Sequence, residues 1–255
     1  QFCITTADLV NRGAGDQGVK EYKMLDEEAG WFFRKYPTWP TLGNHEASGQ
    51  GGYESGERNF ADFFGLHDPT YSFTYGNAKF IALDWPKVSE DPEKLAWLEK
   101  ELKEAQGMHI FVFRHRPFYT IGSKSYGDVE GKTTVTTELF TKYKVTAVFS
   151  GHDHVYYRTK REGVHYMISA GAGASIYSLK REKDAIAGDA YYGRDLESTK
   201  ENPKFRFHPS SGKEITFNEA IYYTVSVKIN GNKISMEMID TNGKIWEKFK
   251  FKTDL

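Results

Sequence analysis

Four separate segments of this 255-residue chain end a run of β-forming residues on a side chain that binds metals. Asp8 follows the apolar run at 2–6. Gly43-Asn44-His45-Glu46 follows Thr41-Leu42. His115 follows the run at 109–113, and Gly151-His152-Asp153-His154 follows the one at 145–149. A fold that uses these residues together must bring several strand ends into one pocket. Their mixture of carboxylate, amide and imidazole is the one that a paired-metal hydrolytic site requires. Taken singly, each has a plainer role. Asp8 reads as a turn or helix N-cap residue, Asn44 as a residue tolerating a left-handed turn after Gly43, and His115 and His152 as hydrogen-bonded structural histidines. Several independent segments in this order favour the shared site.

The chemistry assigns roles. Two cations ~3.5–4 Å apart need a ligand that touches both, and the two oxygens of Asp8 suit that task. Asn44 adds a neutral oxygen. On extended backbone His152 and His154 point the same way while Asp153 points elsewhere, and His115 supplies a third imidazole. Bound metal lowers the pKa of a water toward ~7, giving a hydroxide able to attack phosphorus. His45, beside a ligand but facing away from the metals, is expected to stabilise or protonate the leaving oxygen. Arg12 is a second candidate for offsetting phosphoryl charge, although a loop-bracing role suits it better. Tyr119, Tyr156 and Arg158 are candidate substrate-side groups, with a structural role an even alternative for the last two. His67, His109, His165 and His208 have no partner spacing.

Bulk properties narrow the class. With 34 basic and 35 acidic residues the net charge is -1, which argues against a broad nucleic-acid surface. No apolar stretch approaches the ~18 residues of a membrane span. Cys3 is the single cysteine, so no intrachain disulfide forms. That mildly favours a cytoplasmic location and leaves a bacterial periplasmic or secreted one open. A chain beginning at Gln1 without Met is expected to be processed, truncated or part of something longer.

The periodicity predicts a strand at 2–6, a helix at 19–36, a flexible Gly-rich loop at 47–58, a hairpin from 71–75 to 78–85 and a helix at 93–104. It continues with a strand at 109–113, a helix at 136–143, strands at 145–149 and 166–170, and a meander from 220 to 251. Residues 182–218 read as an irregular insertion or lid. The expectation is one α/β domain over 1–255, with two packed sheets and helices outside.

At these residues the chain resembles the calcineurin-like metallophosphoesterases, and within them the purple-acid-phosphatase-like branch. The likeness rests on the segment from Ala7 to Gly13, on Gly43-Asn44-His45-Glu46, on His115-Arg116-Pro117-Phe118-Tyr119 and on the segment from Gly151 to Arg158. Framework likenesses run from Tyr71 to Asp84, at Trp97-Leu98-Glu99 and from Ala170 to Ala174. The resemblance implies a four-layer αββα sandwich of two mixed β-sheets flanked by helices. It also implies a dinuclear centre of Mn, Fe or Zn ions. Asp8 would bridge the ions, Asn44, His115 and His152 would complete one shell, His154 would bind the other ion, and His45 would act on the phosphate.

The chain departs from the family pattern twice. The opening Asp-x-His, expected a few tens of residues before Asp8, is absent, so the second site is short of ligands and a longer natural protein is expected. Asn11 stands where purple enzymes carry a tyrosine ligand, so no tyrosinate-to-iron colour is expected. The implied activity is metal-dependent hydrolysis of small phosphate monoesters or diesters, with a catalytically impaired scaffold as the alternative and a nuclease behind both. The sequence leaves the oligomeric state open.

Overall fold

The computed structural model describes residues 1–84, 91–123 and 134–254. Its elements run β1 (Cys3–Thr5), α1 (Gly15–Lys35), β2 (Thr38–Pro40), α2 (Gly52–Phe64), β3 (Tyr71–Tyr75), β4 (Ala78–Leu83), α3 (Pro92–Glu104), β5 (His109–Arg114), α4 (Val135–Lys142), β6 (Ala147–Ser150), β7 (Tyr156–Arg161), β8 (Val164–Ser169), β9 (Ala190–Arg194), β10 (Phe205–His208), β11 (Ile215–Phe217), β12 (Tyr223–Asn230), β13 (Lys233–Asp240) and β14 (Ile245–Lys252).

Nine strands form one mixed sheet in the order β11-β10-β9-β7-β8-β6-β5-β4-β3. Its centre is parallel: β4 pairs β5, β5 pairs β6, and β6 pairs β8. These strands are covered on both faces and therefore read as near-continuous apolar runs, as in His109–Arg114, where every residue is buried. One face packs on α3 and α4 through Leu98, Leu102, Leu139 and Phe140. Helix α3 starts cleanly because Asp91 caps the N–H groups of Glu93 and Lys94 ahead of Pro92. The other face, with Phe80, Phe111, Phe113 and Tyr156, buries Phe2, Ile4 and Trp39 of the β1–β2 pair and Ile234, Met236 and Met238 of the β12–β14 meander. Helices α1 and α2 join through Tyr22, Phe60 and Phe63 over Val10 and Leu42, which follow β1 and β2. This is the four-layer αββα arrangement. Its second β layer is a parallel pair plus an antiparallel meander rather than one mixed sheet.

Two expectations are corrected. The stretch 47–58 is not simply a flexible loop, because α2 begins at Gly52. The glycine content misleads there: a Cβ on Gly56 would lie 2.2 Å from the Glu46 carbonyl oxygen, so this glycine permits close packing of α2 on the 43–46 turn. The stretch 182–218 is not irregular, since β9, β10 and β11 extend the large sheet. Its inward residues Phe205 and Phe207 are buried, while outward Arg206 pairs with Glu182 and Asp195. Polar loops separate these short strands, and only β10 alternates apolar and polar residues. Strand β7 also forms where the periodicity predicts no element. The hairpin's predicted end at Trp85 lies outside the described residues.

Candidate metal centre

Four loops meet at the carboxyl ends of β1, β2, β5 and β6, where ligands gather in open α/β sheets. His115 is central and has 0% side-chain exposure. Its Nδ1 lies 2.9 Å from the Thr6 carbonyl oxygen, so Nδ1 carries the proton and Nε2 presents its lone pair. Around that Nε2 stand Asn44 Oδ1 at 2.8 Å, His152 Nδ1 at 3.0 Å and Asp8 Oδ2 at 3.3 Å. Among the described residues, Asp8, His115 and His152 offer ligand atoms all within 4.8 Å of one another. Two imidazole nitrogens, a carboxylate and an amide oxygen facing one point fit a first-row divalent cation.

Backbone strain and buried carboxyls hold this arrangement. Ala7, Asp8 and His152 adopt positive φ values of 75, 57 and 65°, which costs free energy that the surrounding contacts must offset. Glu46, 1% exposed, ties the turns after β1 and β2 together. Its carboxyl accepts N–H bonds from Asp8 at 3.0 Å, Gly43 at 2.9 Å and Leu9 at 2.7 Å. Burial, then the charge of Asp8, pushes Glu46 up to about 7. Burial also raises Asp8, against the opposing pull of His45, His154 and Arg116. Burial holds His115 well below its ordinary value, in the neutral form a ligand needs.

The other predicted residues divide. The His45 N–H donates to Asp8 Oδ1 at 3.2 Å, and its Nδ1 lies 2.8 Å from the Asn11 carbonyl oxygen, leaving Nε2 available. His154 Nδ1 lies 2.9 Å from the Ser175 carbonyl oxygen, and its ring stacks on Tyr177 at 4.1 Å. It influences Asp8 electrostatically but stands outside the tight cluster. The extended-backbone argument for the pair fails, because His152 is left-handed. Arg12 is exposed and its charge acts on Glu21, the acceptor for its backbone N–H. Arg116, not singled out in the sequence, is the arginine that acts on Asp8.

Two of the three substrate-side candidates are turned away between the sheets. Tyr156 and Arg158 are 1% and 6% exposed and both bind Glu247 of β14 between the sheets. They alternate onto the same inward face of β7. Tyr119 packs edge-on against Tyr166 at 4.7 Å, beside the outer helical layer.

The calcineurin-like phosphoesterase family model matches residues 1–156, and the chain belongs to that family. Its sequence relatives lie in the purple acid phosphatase branch. A soybean (Glycine max) purple acid phosphatase is 30% identical over 161 residues, covering 60% of this chain and 33% of that protein. Human tartrate-resistant acid phosphatase type 5 is 27% identical over 237 residues, covering 83% of this chain and 66% of that protein. The chain thus spans about a third of the plant relatives, 33% of the soybean protein and 34% of an Arabidopsis thaliana one.

Among solved structures, the fold matches purple acid phosphatase PPD1 from yellow lupin seeds. The TM-score is 0.66 at 17% identity, over 99% of this chain and 47% of that one. GAP50, described as the anchor in the inner membrane complex of Plasmodium, gives 0.54 at 13% identity over 100% of this chain and 79% of that one. No described helix is long and apolar enough to cross a membrane.

Proposed function

We propose that this chain is a metal-dependent phosphoesterase acting on small phosphate monoesters or diesters. The convergence of Asp8, Asn44 and His152 on the Nε2 of His115 carries the reading. Asp8, Asn44, His115 and His152 would hold one ion, and His154 with Asp8 would contribute to a second. Mn, Fe or Zn bound there would supply Lewis acidity and activate water as a nucleophile. The chain's own residues do the rest. Asp8 is oriented by the His45 and Glu46 contacts. With Nδ1–H donated to the Asn11 carbonyl oxygen, His45 would stabilise or protonate the leaving oxygen as an imidazolium, which carries a second N–H on Nε2. Arg116 adds positive charge beside Asp8, in the place sequence reading gave to Arg12. The near-neutral net charge keeps nucleic acid an unfavoured substrate.

The test is hydrolysis of an aryl phosphate ester with added Mn or Zn. Stimulation by the metal, with loss in Asp8→Ala and His45→Ala, supports the reading; undiminished turnover in both variants removes it. A second reading, a phosphoesterase fold retained as a binding scaffold, is favoured by one observation: His154 stands outside the tight ligand cluster. Metal analysis separates them, with two ions per chain expected for the enzyme and none for the scaffold.

A further inference from the structure

Asp153, between the two histidines of the 151–154 turn, makes no contribution to the ligand cluster, yet it is 0% exposed. Its Oδ2 accepts the hydroxyl of Thr120 at 2.6 Å, a length typical of a hydroxyl donating to a carboxylate. The same Thr120 oxygen accepts the Gly122 N–H at 3.1 Å, which fixes the direction in which the hydroxyl proton points. Gly122 is shaped to this contact: a Cβ there would lie 2.3 Å from Asp153 Oδ2.

The two ends of this bond belong to different ligand loops. Thr120 lies five residues beyond His115 on the loop leaving β5, and Asp153 lies between His152 and His154 on the loop leaving β6. A second tie joins the same loops, because the Gly151 N–H donates to the His115 carbonyl oxygen at 2.8 Å. Between these ties His152 sits in the left-handed region, at a φ of 65°, a conformation that persists only when its surroundings enforce it.

We propose that the Thr120–Asp153 bond is a clamp that sets the separation of the His115 and His152 imidazoles, making Asp153 and Thr120 positioning residues of the metal pocket. The proposal rests on the metal-site reading above and deepens it. The clamp holds His152 in its strained conformation so that Nδ1 faces His115 Nε2. Without it the turn relaxes, and the two nitrogens no longer meet one ion at ligand distance. Outer-sphere contacts of this kind typically govern metal affinity by about 10- to 100-fold.

The experiment measures Mn and Zn affinity of the 255-residue chain by chelator competition, and the visible spectrum after Co loading. Thr120→Val and Asp153→Ala are expected to weaken binding at least tenfold and to alter the Co spectrum. Asp153→Asn, which keeps an oxygen for the Thr120 hydroxyl, is expected to stay within about threefold of the parent. Gly122→Ala, which displaces the carboxyl without changing it, is expected to mimic Asp153→Ala. Thr120→Val and Asp153→Ala chains that melt earlier but bind metal and colour with Co like the parent would overturn the clamp, Asp8→Ala losing binding all the while. A parent chain that binds neither metal would overturn both the clamp and the phosphoesterase reading.

Discussion

Arg158 offers a sharp division between a structural and a substrate-binding role. It lies over the Phe249 ring at 4.2 Å and donates to Glu247 Oε1 from Nη2 at 2.7 Å and from Nε at 3.3 Å. Both side chains are almost sealed, at 7% and 4% exposure, and Tyr156 donates its hydroxyl to the other Glu247 oxygen. Arg158→Met removes the cation and leaves a carboxylate between the sheets with only a phenol to face. Breaking one side of a buried pair costs about 3–5 kcal/mol. For a chain of this size, that is a large part of a total stability of about 5–15 kcal/mol and lowers Tm by roughly 6–20 °C. Replacing the whole group (Arg158→Met, Glu247→Leu and Tyr156→Phe together) removes the unpaired charge with its partner, and is expected to recover most of the loss. Equilibrium urea unfolding of the metal-free chains reads both numbers, and chelator competition reads metal affinity in parallel. A cost under about 1 kcal/mol for Arg158→Met together with a raised KM for an aryl phosphate would instead assign the guanidinium to the substrate.

Other outcomes follow from the same geometry. Asp8→Ala removes a donor facing His115 and is expected to weaken Mn or Zn binding at least 100-fold, read by chelator competition. Arg116→Met is expected to raise KM for an aryl phosphate about tenfold and Arg12→Met less than twofold; the reverse order in steady-state kinetics would restore Arg12. His165 packs against Phe251 at 4.2 Å, and burial lowers it to about 4. The unfolded chain therefore takes up its proton first. This residue's contribution is present above pH ~6.5 and is lost as pH falls through about 4, amounting to about 3 kcal/mol. Urea midpoints of the parent should drop more between pH 7 and 4 than those of His165→Leu. The Fe-loaded chain is expected to lack a tyrosinate charge-transfer band in its visible spectrum, because Asn11 stands at the ligand tyrosine's position.

The convergence of the candidate donors was legible in the sequence because each follows a predicted strand; β1 and β2 form one sheet, β5 and β6 belong to the sheet packed on it, and their like ends meet. Asp8, Asn44, His115 and His152 arrive by that rule. The substrate-side expectation for Tyr156 and Arg158 fails because proximity in sequence says nothing about which side of a strand faces the site. Tyr156 and Arg158 alternate inward to Glu247, a partner 91 and 89 residues away. Arg116 was hidden for the same reason: only the fold shows that it, rather than Arg12, acts on Asp8. Glu46 was visible as a motif residue, but its three backbone bonds depend on two loops meeting. The strands at 190–217 are short (three to five residues) and separated by polar loops, and only β10 shows alternation, with Phe205 and Phe207 buried and Arg206 and His208 only partly so.

Anomalous diffraction from crystals grown with Mn would locate the ion and its ligands in one measurement. A peak is expected where Asp8, Asn44 Oδ1, His115 Nε2 and His152 Nδ1 converge, with each ligand atom at about 2.0–2.3 Å. An ordered pocket with no peak there, or a peak held by other residues while His115 Nε2 keeps only protein neighbours, would contradict it.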